Sequence, residues 1–235
     1  MAAKAAGALP VVPLSHEPLH ERLHAALWEA IVSGQFVPGQ KLTVRGVAEA
    51  FGTSPMPVRA SLSRLVAEGA LTQNPNGTVI VPKVTRDTFS EVMELRAVLE
   101  KRATILAAPN VGQTDLAQLR ESALALREAT KNDDIIAYLQ ANRALKFGIY
   151  EHAHSPVLLE LIQNLWLKAG PMLRRLANDL PNMGHPECPD HVLQYIERGS
   201  GEAAAEVLAA DILTGMKDIL SSTTVWEQAD GEARG

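Results

Sequence analysis

The sequence predicts a mainly α chain in two parts, a small N-terminal part ending in a β-hairpin and a larger all-α bundle of six to seven helices. Three observations predict it. Aromatic residues make up only 4% of the 235 residues while alanine and leucine abound, which favours helices over sheets. Strand-like segments are confined to 71–81, and every later segment carries its apolar residues at helical spacing. Between Lys41 and Ala67, two short helical patterns meet at a tight turn just ahead of the hairpin. An apolar fraction of 46% is enough to build a core in each part.

Residues 1–13, MAAKAAGALPVVP, lack the long apolar core of a signal peptide and read as a disordered arm. The first part spans 14–82. A helix over 17–33 repeats Leu19, Leu23, Leu27 and Ile31 every four residues, so that Leu27, Trp28 and Ile31 pack on the helical pair that follows. Gly34 stops it, and Pro38-Gly39 makes a turn. The next helix, Val44 to Phe51, buries Val47, Ala48 and Phe51 and ends at Gly52. Ser54 caps the second of the pair, with Pro55 and Pro57 in the first turn, where a missing amide is harmless. Val58, Leu62, Leu65 and Val66 form its apolar stripe, while Met56, Arg59, Ser63 and part of Ser61 point away. Two strands, Leu71–Gln73 and Thr78–Val81, flank the turn Asn74-Pro75-Asn76-Gly77. Three helices and a hairpin make a winged helix-turn-helix, and Ser54 to Arg64 is the helix such a motif lays in a major groove.

Pro82 and Lys83 link this part to the second, 83–222. Helical patterns run over 85–107, 113–130, 133–152, 155–178, 190–198 and 201–220, with Asp133 and Ser155 placed as N-caps. The tail, 223–235, is polar and flexible apart from Trp226.

Net charge is −5, a sign that argues against nucleic acid until its distribution is read. Residues 14–82 balance to zero, but within 40–66 Lys41, Arg45, Arg59 and Arg64 face Glu49 alone, a local +3; residues 83–235 sum to −6. A basic face on a small neutral domain tied to an acidic one suits a modular binder of double-stranded DNA. Two rival readings are weaker. An enzyme behind a winged-helix adaptor lacks a Ser/His/Asp set, a phosphate loop or a metalloprotease pair. A protein-interaction module calls for a neutral reading helix, which Arg59 and Arg64 contradict. Cys188 is the only cysteine, so no internal disulfide forms, and no apolar run spans a bilayer; the expected location is the cytoplasm, with no membrane partner. His185-x-x-Cys188-x-x-His191 imitates zinc spacing, but Pro186 and Pro189 kink it and no fourth ligand lies nearby.

The segment Gly34 to Val81 resembles the winged helix-turn-helix of GntR-family regulators. The matching words include Gly34-Gln35-Phe36-Val37-Pro38-Gly39, Val47-Ala48-Glu49-Ala50-Phe51-Gly52, Ser54-Pro55-Met56-Pro57-Val58-Arg59 and Glu68-Gly69. The remainder is similar to the helical effector domain (FCD type) of the FadR subfamily, through Leu95 to Glu100, Asn142, Phe147 to Tyr150, Ser155-Pro156, Leu165-Trp166 and Asp211-Ile212. The resemblance implies a homodimer on a palindromic operator, a repressor controlled by a small anionic effector. It places DNA contacts on Arg45, Ser54, Met56, Arg59 and the wing tip Asn76-Gly77, and the exposed side of the reading helix adds Ser63 and Arg64. Where the family has an acidic residue and alanine after Arg59, this chain has Ala60-Ser61. Effector contacts fall on Arg96, Asn142, Lys146, Tyr150, His191 and Asp211. Related domains hold a divalent ion there; here Lys146 and Pro189 stand where ligands are expected, so no metal and no other cofactor is expected, and a Lys146–Asp211 pair takes the ion's place.

Overall fold

A computed structural model describes residues 18–173, 187–222 and 226. In the N-terminal part, α1 (Leu19–Val32) precedes the pair α2 (Val44–Phe51) and α3 (Pro55–Ala67). Three two-residue strands, β1 (Lys41–Leu42), β2 (Thr72–Gln73) and β3 (Val79–Ile80), form an antiparallel sheet in the order β1-β3-β2. Lys41 pairs with Ile80, Leu42 with Val79, Thr72 with Ile80 and Gln73 with Val79. The hairpin strands are shorter than predicted, with Leu71 and Val81 buried beyond their ends. Strand β1 was not expected: two residues are too few to show alternation, and only the partner β3 defines them as a strand.

Local chemistry explains most boundaries and corrects some. Thr43 Oγ1 accepts from the Gly46 amide at 3.0 Å and caps α2, and Gly52 closes that helix at φ +60°. Ser54 has the extended backbone of a cap, yet its hydroxyl makes no capping bond. Phe51, predicted as core, is 43% exposed, because the chain turns away at Gly52 before anything can cover it. Ser61 is buried, its hydroxyl within reach of the carbonyls of Pro57 at 2.9 Å and His20 at 3.0 Å.

The larger part comprises, among the described residues, α4 (Arg86–Ala107), α5 (Gln113–Lys131), α6 (Ile135–Tyr150), α7 (Pro156–Leu173), α8 (Cys188–Glu197) and α9 (Gly201–Ser221). The cap of α6 is Asp134, which accepts from the Ala137 amide at 3.0 Å; Asp133, the expected cap, is one residue early at φ 54°. Helix α8 begins two residues before its predicted start, with Pro189 tolerated in the first turn. The predicted extension of α7 to 178, the arm 1–13 and the tail except Trp226 lie outside the described residues. Trp226 is buried: it donates to the Ile219 carbonyl at 2.9 Å, meets Phe89 edge-on, and has Arg86 over its ring at 5.1 Å.

Helix α4 crosses the centre of the bundle, against α6, α7 and α9. Helix α7 also packs on α1, and Gly170 makes that contact possible: a Cβ there would stand 2.7 Å from the Ile31 carbonyl oxygen and the Val32 Cα. The two parts therefore share a tight seam.

Candidate DNA interface and ligand cavity

Helix α3 buries Val58, Leu62 and Leu65 and presents Met56, Arg59 and Ser63 on its outer side, spaced three and four residues apart. Met56 is 80% exposed, and Arg59 makes no ion pair with a described residue. At the start of the helix Pro55 and Pro57 lack amides, so the Met56 N–H and the Ser54 hydroxyl, which makes no capping bond, are the polar groups offered there. Arg45 projects from α2 and holds Glu49 at 2.8 Å, an exposed pair of about 0.3–0.5 kcal/mol that a phosphate readily displaces. In the wing, the Asn76 Oδ1 accepts from the Thr78 amide at 3.0 Å, and Gly77, at φ +83°, faces open space. Small, exposed and shaped by its own hydrogen bonds, the tip suits close approach to a backbone.

Arg64 does not join this face, contrary to expectation. Five residues from Arg59, it lies on another side of α3, where its Nη1 bonds Glu21 at 2.6 Å and its Nε bonds Glu68 at 2.9 Å. Both carboxylates hold it in its charged form and raise its pKa further. Arg64 is thus a clasp between the reading helix and α1, with His24 bound to Glu68 at 2.9 Å beside it.

From α1 the seam continues into the bundle. Trp28, expected to pack on α2 and α3, instead meets Phe147 of α6 edge-on at 5.8 Å. Arg143, one turn before Phe147, pairs with Glu29 and lies over the Trp28 ring at 5.4 Å. An open cleft of about 550 Å³ runs along this seam.

On the neighbouring stripe of α6, Asn142 and Lys146 line a partly open cavity of about 50 Å³, with residues of α4, α7 and α9 around it. Arg96, Tyr138 and Asp211 complete its polar lining, against Met93, Leu139, Leu173, Ile212 and Ile219. Lys146 is buried, and its Nζ donates to Asp211 Oδ2 at 3.4 Å. That is long for an ammonium–carboxylate bond, and among the described residues it leaves most of the donor capacity unused. Behind the cavity, Glu100 is fully buried and accepts from Arg96 Nε at 2.7 Å, Trp166 Nε1 at 2.8 Å and Tyr150 Oη at 2.5 Å. Arg96 also stacks over Trp166 at 4.1 Å. Burial, with the Glu100 charge beside it, raises the Tyr150 pKa well above its ordinary value, so the phenol stays a donor.

Four of the six expected effector residues, Arg96, Asn142, Lys146 and Asp211, meet in the cavity; Tyr150 stands one layer behind it. His191 does not belong to it. On the first turn of α8 it points outward, half-exposed and 3.9 Å from Glu187. Sequence reasoning missed Tyr138 and the part played by Glu100.

The residues do not fit the divalent ion of related domains. An ammonium in the second ligand position repels a cation, and it sits against the carboxylate that would bind one. Among the described residues no three His, Cys, Asp or Glu side chains converge to hold a metal. Cys188 is buried, with its thiol pKa pushed up to about 12 by desolvation and by Asp211, so thiolate chemistry is suppressed. His185 lies outside the described residues.

Two family descriptions match successive stretches of the chain. Residues 19–81 match the family described as bacterial regulatory proteins, gntR family, and residues 91–214 match the FCD domain. The HTH-type transcriptional regulator McbR of Escherichia coli K12 is 33% identical over 182 residues, 77% of this chain and 81% of that protein. The solved structure of E. coli McbR/YncC superposes with a TM-score of 0.81 at 29% identity, over 87% of this chain and 98% of the other. A GntR-type regulator from Rhodococcus sp. RHA1 shares the fold, with a TM-score of 0.71 at 21% identity, over 86% and 98% of the two chains. No described helix is long and apolar enough to cross a membrane. The chain belongs to the GntR family of bacterial regulatory proteins, joins its helix-turn-helix to an FCD effector-binding domain, and is a transcription regulator, not an enzyme.

Proposed function

We propose that the protein is a metal-free homodimeric repressor that reads a palindromic operator and is released by a small carboxylate-bearing metabolite in the cavity of α4, α6 and α9. Arg59, Met56 and Ser63 face the bases or their edges, Arg45 and Ser54 hold phosphates, and Asn76-Gly77 approaches the backbone beside the groove. One observation carries the regulatory half: a single helix, α6, offers Lys146 to the cavity and Arg143 to α1. Helix α1 in turn clasps the reading helix through Glu21 and Arg64. A ligand that pulls on Lys146 therefore acts on the element that orients α3, without any direct contact with DNA.

A second copy is needed because one reading helix spans only a few base pairs. The surface suited to it is apolar: Leu95 and Val98 on α4 are 46% and 65% exposed, and Val157 and Leu161 on the adjoining α7 are 69% and 49% exposed. Light scattering and operator retardation test this together. The wild type should be a dimer that retards a palindromic duplex less well as salt rises. Val98→Asp should give a folded monomer whose operator affinity falls about 100-fold or more, since half of the specific contacts are lost. A Val98→Asp protein that remains dimeric rejects this face.

The coupling has its own test. Arg143→Met should keep the fold but change operator affinity by about 5- to 150-fold, the range of ordinary coupling free energies. The direction identifies the state that the Arg143–Glu29 latch holds. Unchanged affinity, with the cavity still able to bind a carboxylate, removes α1 from the route.

A further inference from the structure

The charge balance of the cavity says more about its occupant than the presence of Lys146 does. Among the described residues the ionised groups are two opposite pairs. Arg96 is neutralised by the buried Glu100, and Lys146 faces Asp211 at 3.4 Å. The site is neutral before any ligand enters. A simple carboxylate bound to Lys146 would bring a second negative charge close to Asp211, since both carboxylates would share one ammonium in a partly enclosed space. Asp211 itself lines the cavity, so its oxygen is open to a donor from the ligand.

From this arrangement we infer that the metabolite is a small zwitterion, an α-amino acid of about the size of glycine, alanine or serine. The inference rests on the carboxylate reading above and narrows it. The ligand's carboxylate takes Lys146, its ammonium takes Asp211, and one long ion pair becomes two closer ones with no change in total charge. Tyr138 and Asn142 line the same space, and their side chains make no hydrogen bond to a described residue, which leaves both to fix orientation. The space of about 50 Å³ beside the two pairs admits a few water-sized groups, and the cavity opens to solvent on one side. The aliphatic wall of Leu139, Ile212 and Ile219 accepts a short side chain.

Calorimetry on the full chain decides the matter with L-alanine, L-serine, propionate, L-lactate and ethylamine as the compounds titrated. Alanine or serine should bind about 100-fold more tightly than propionate or lactate, because only the amino acids satisfy Asp211. Asp211→Asn, with its fold checked by circular dichroism, should erase that preference. Lys146→Met should weaken every carboxylate. Propionate or lactate binding the wild type as tightly as alanine overturns the zwitterion and leaves the carboxylate site standing. Binding of ethylamine alone, or of none of the five, overturns the carboxylate reading as well.

Discussion

Replacing Arg59 by alanine should abolish specific operator binding and leave the melting temperature and helical content unchanged. Both halves of that expectation come from where the side chain stands. It is exposed on the outer stripe of α3 with Met56 and Ser63, and it holds no carboxylate among the described residues, so nothing in the fold depends on it. A guanidinium that grips a guanine edge bidentately contributes about 1–3 kcal/mol, and a dimer loses two such contacts, hence about 2–6 kcal/mol in all. Arg64→Ala provides the contrast. Its two carboxylate partners make it a stabilising clasp, so its loss should lower stability and alter α3 orientation instead of deleting a base contact. Arg45→Ala should flatten the salt dependence by about one counterion per protomer, the signature of a phosphate contact. Fluorescence anisotropy at several salt concentrations measures all three. A folded Arg59→Ala protein with undiminished operator affinity refutes the docking of α3 in the groove.

The contrast between Arg59 and Arg64 also shows what the chain disclosed in advance and what it did not. The order of helices, the hairpin and the turn glycines were legible, because each is fixed by spacing and by residues within a few positions. Strand β1 was not legible, since its definition lies forty residues away in Ile80 and Val79. The destination of Arg64 depends on Glu21, also remote in sequence. Trp28 is similar: its periodicity says that it is covered, but not that α6 covers it. In α4 the decisive signal was present and pointed the other way from composition. Phe89, Val92, Arg96, Glu100, Ala103 and Ala107 follow one helical stripe, and all are buried, while Leu95 and Val98 fall outside it and are exposed. Two charged residues inside an apolar register mark a buried network; two aliphatic residues outside it mark a surface waiting for cover. The resemblance to FCD domains brought Arg96, Asn142, Lys146 and Asp211 to one place. It could not reveal that His191 turns outward on α8, because that depends on where the helix starts.

Glu100→Ala should be the most destabilising single change in the bundle. The carboxylate is fully buried and is shared by three donors: the Arg96 guanidinium, the Trp166 indole and the Tyr150 phenol. Removing it leaves a cation 2% exposed with no counter-charge among the described residues, and two further donors without their acceptor. Breaking a buried ion pair from one side costs about 3–5 kcal/mol. In a domain of this size each kcal/mol lowers the midpoint by roughly 2–4 °C, so the melting temperature should fall by roughly 6–20 °C. Arg96→Met should cost less, because Glu100 then keeps two neutral donors and the thioether fills part of the vacated space. The double variant Arg96→Met, Glu100→Ala should be more stable than Glu100→Ala alone, since it removes the stranded charge; only the indole and phenol remain unsatisfied, at about 1–3 kcal/mol each. Thermal denaturation of the three variants and the wild type closes the cycle. Strict additivity would mean that Arg96 is not held by Glu100, and the polar wall of the cavity would then have no fixed support. Strong coupling, by contrast, identifies Glu100 as the anchor that keeps Arg96 over Trp166 and leaves Lys146 and Asp211 as the pair free to exchange partners with a ligand.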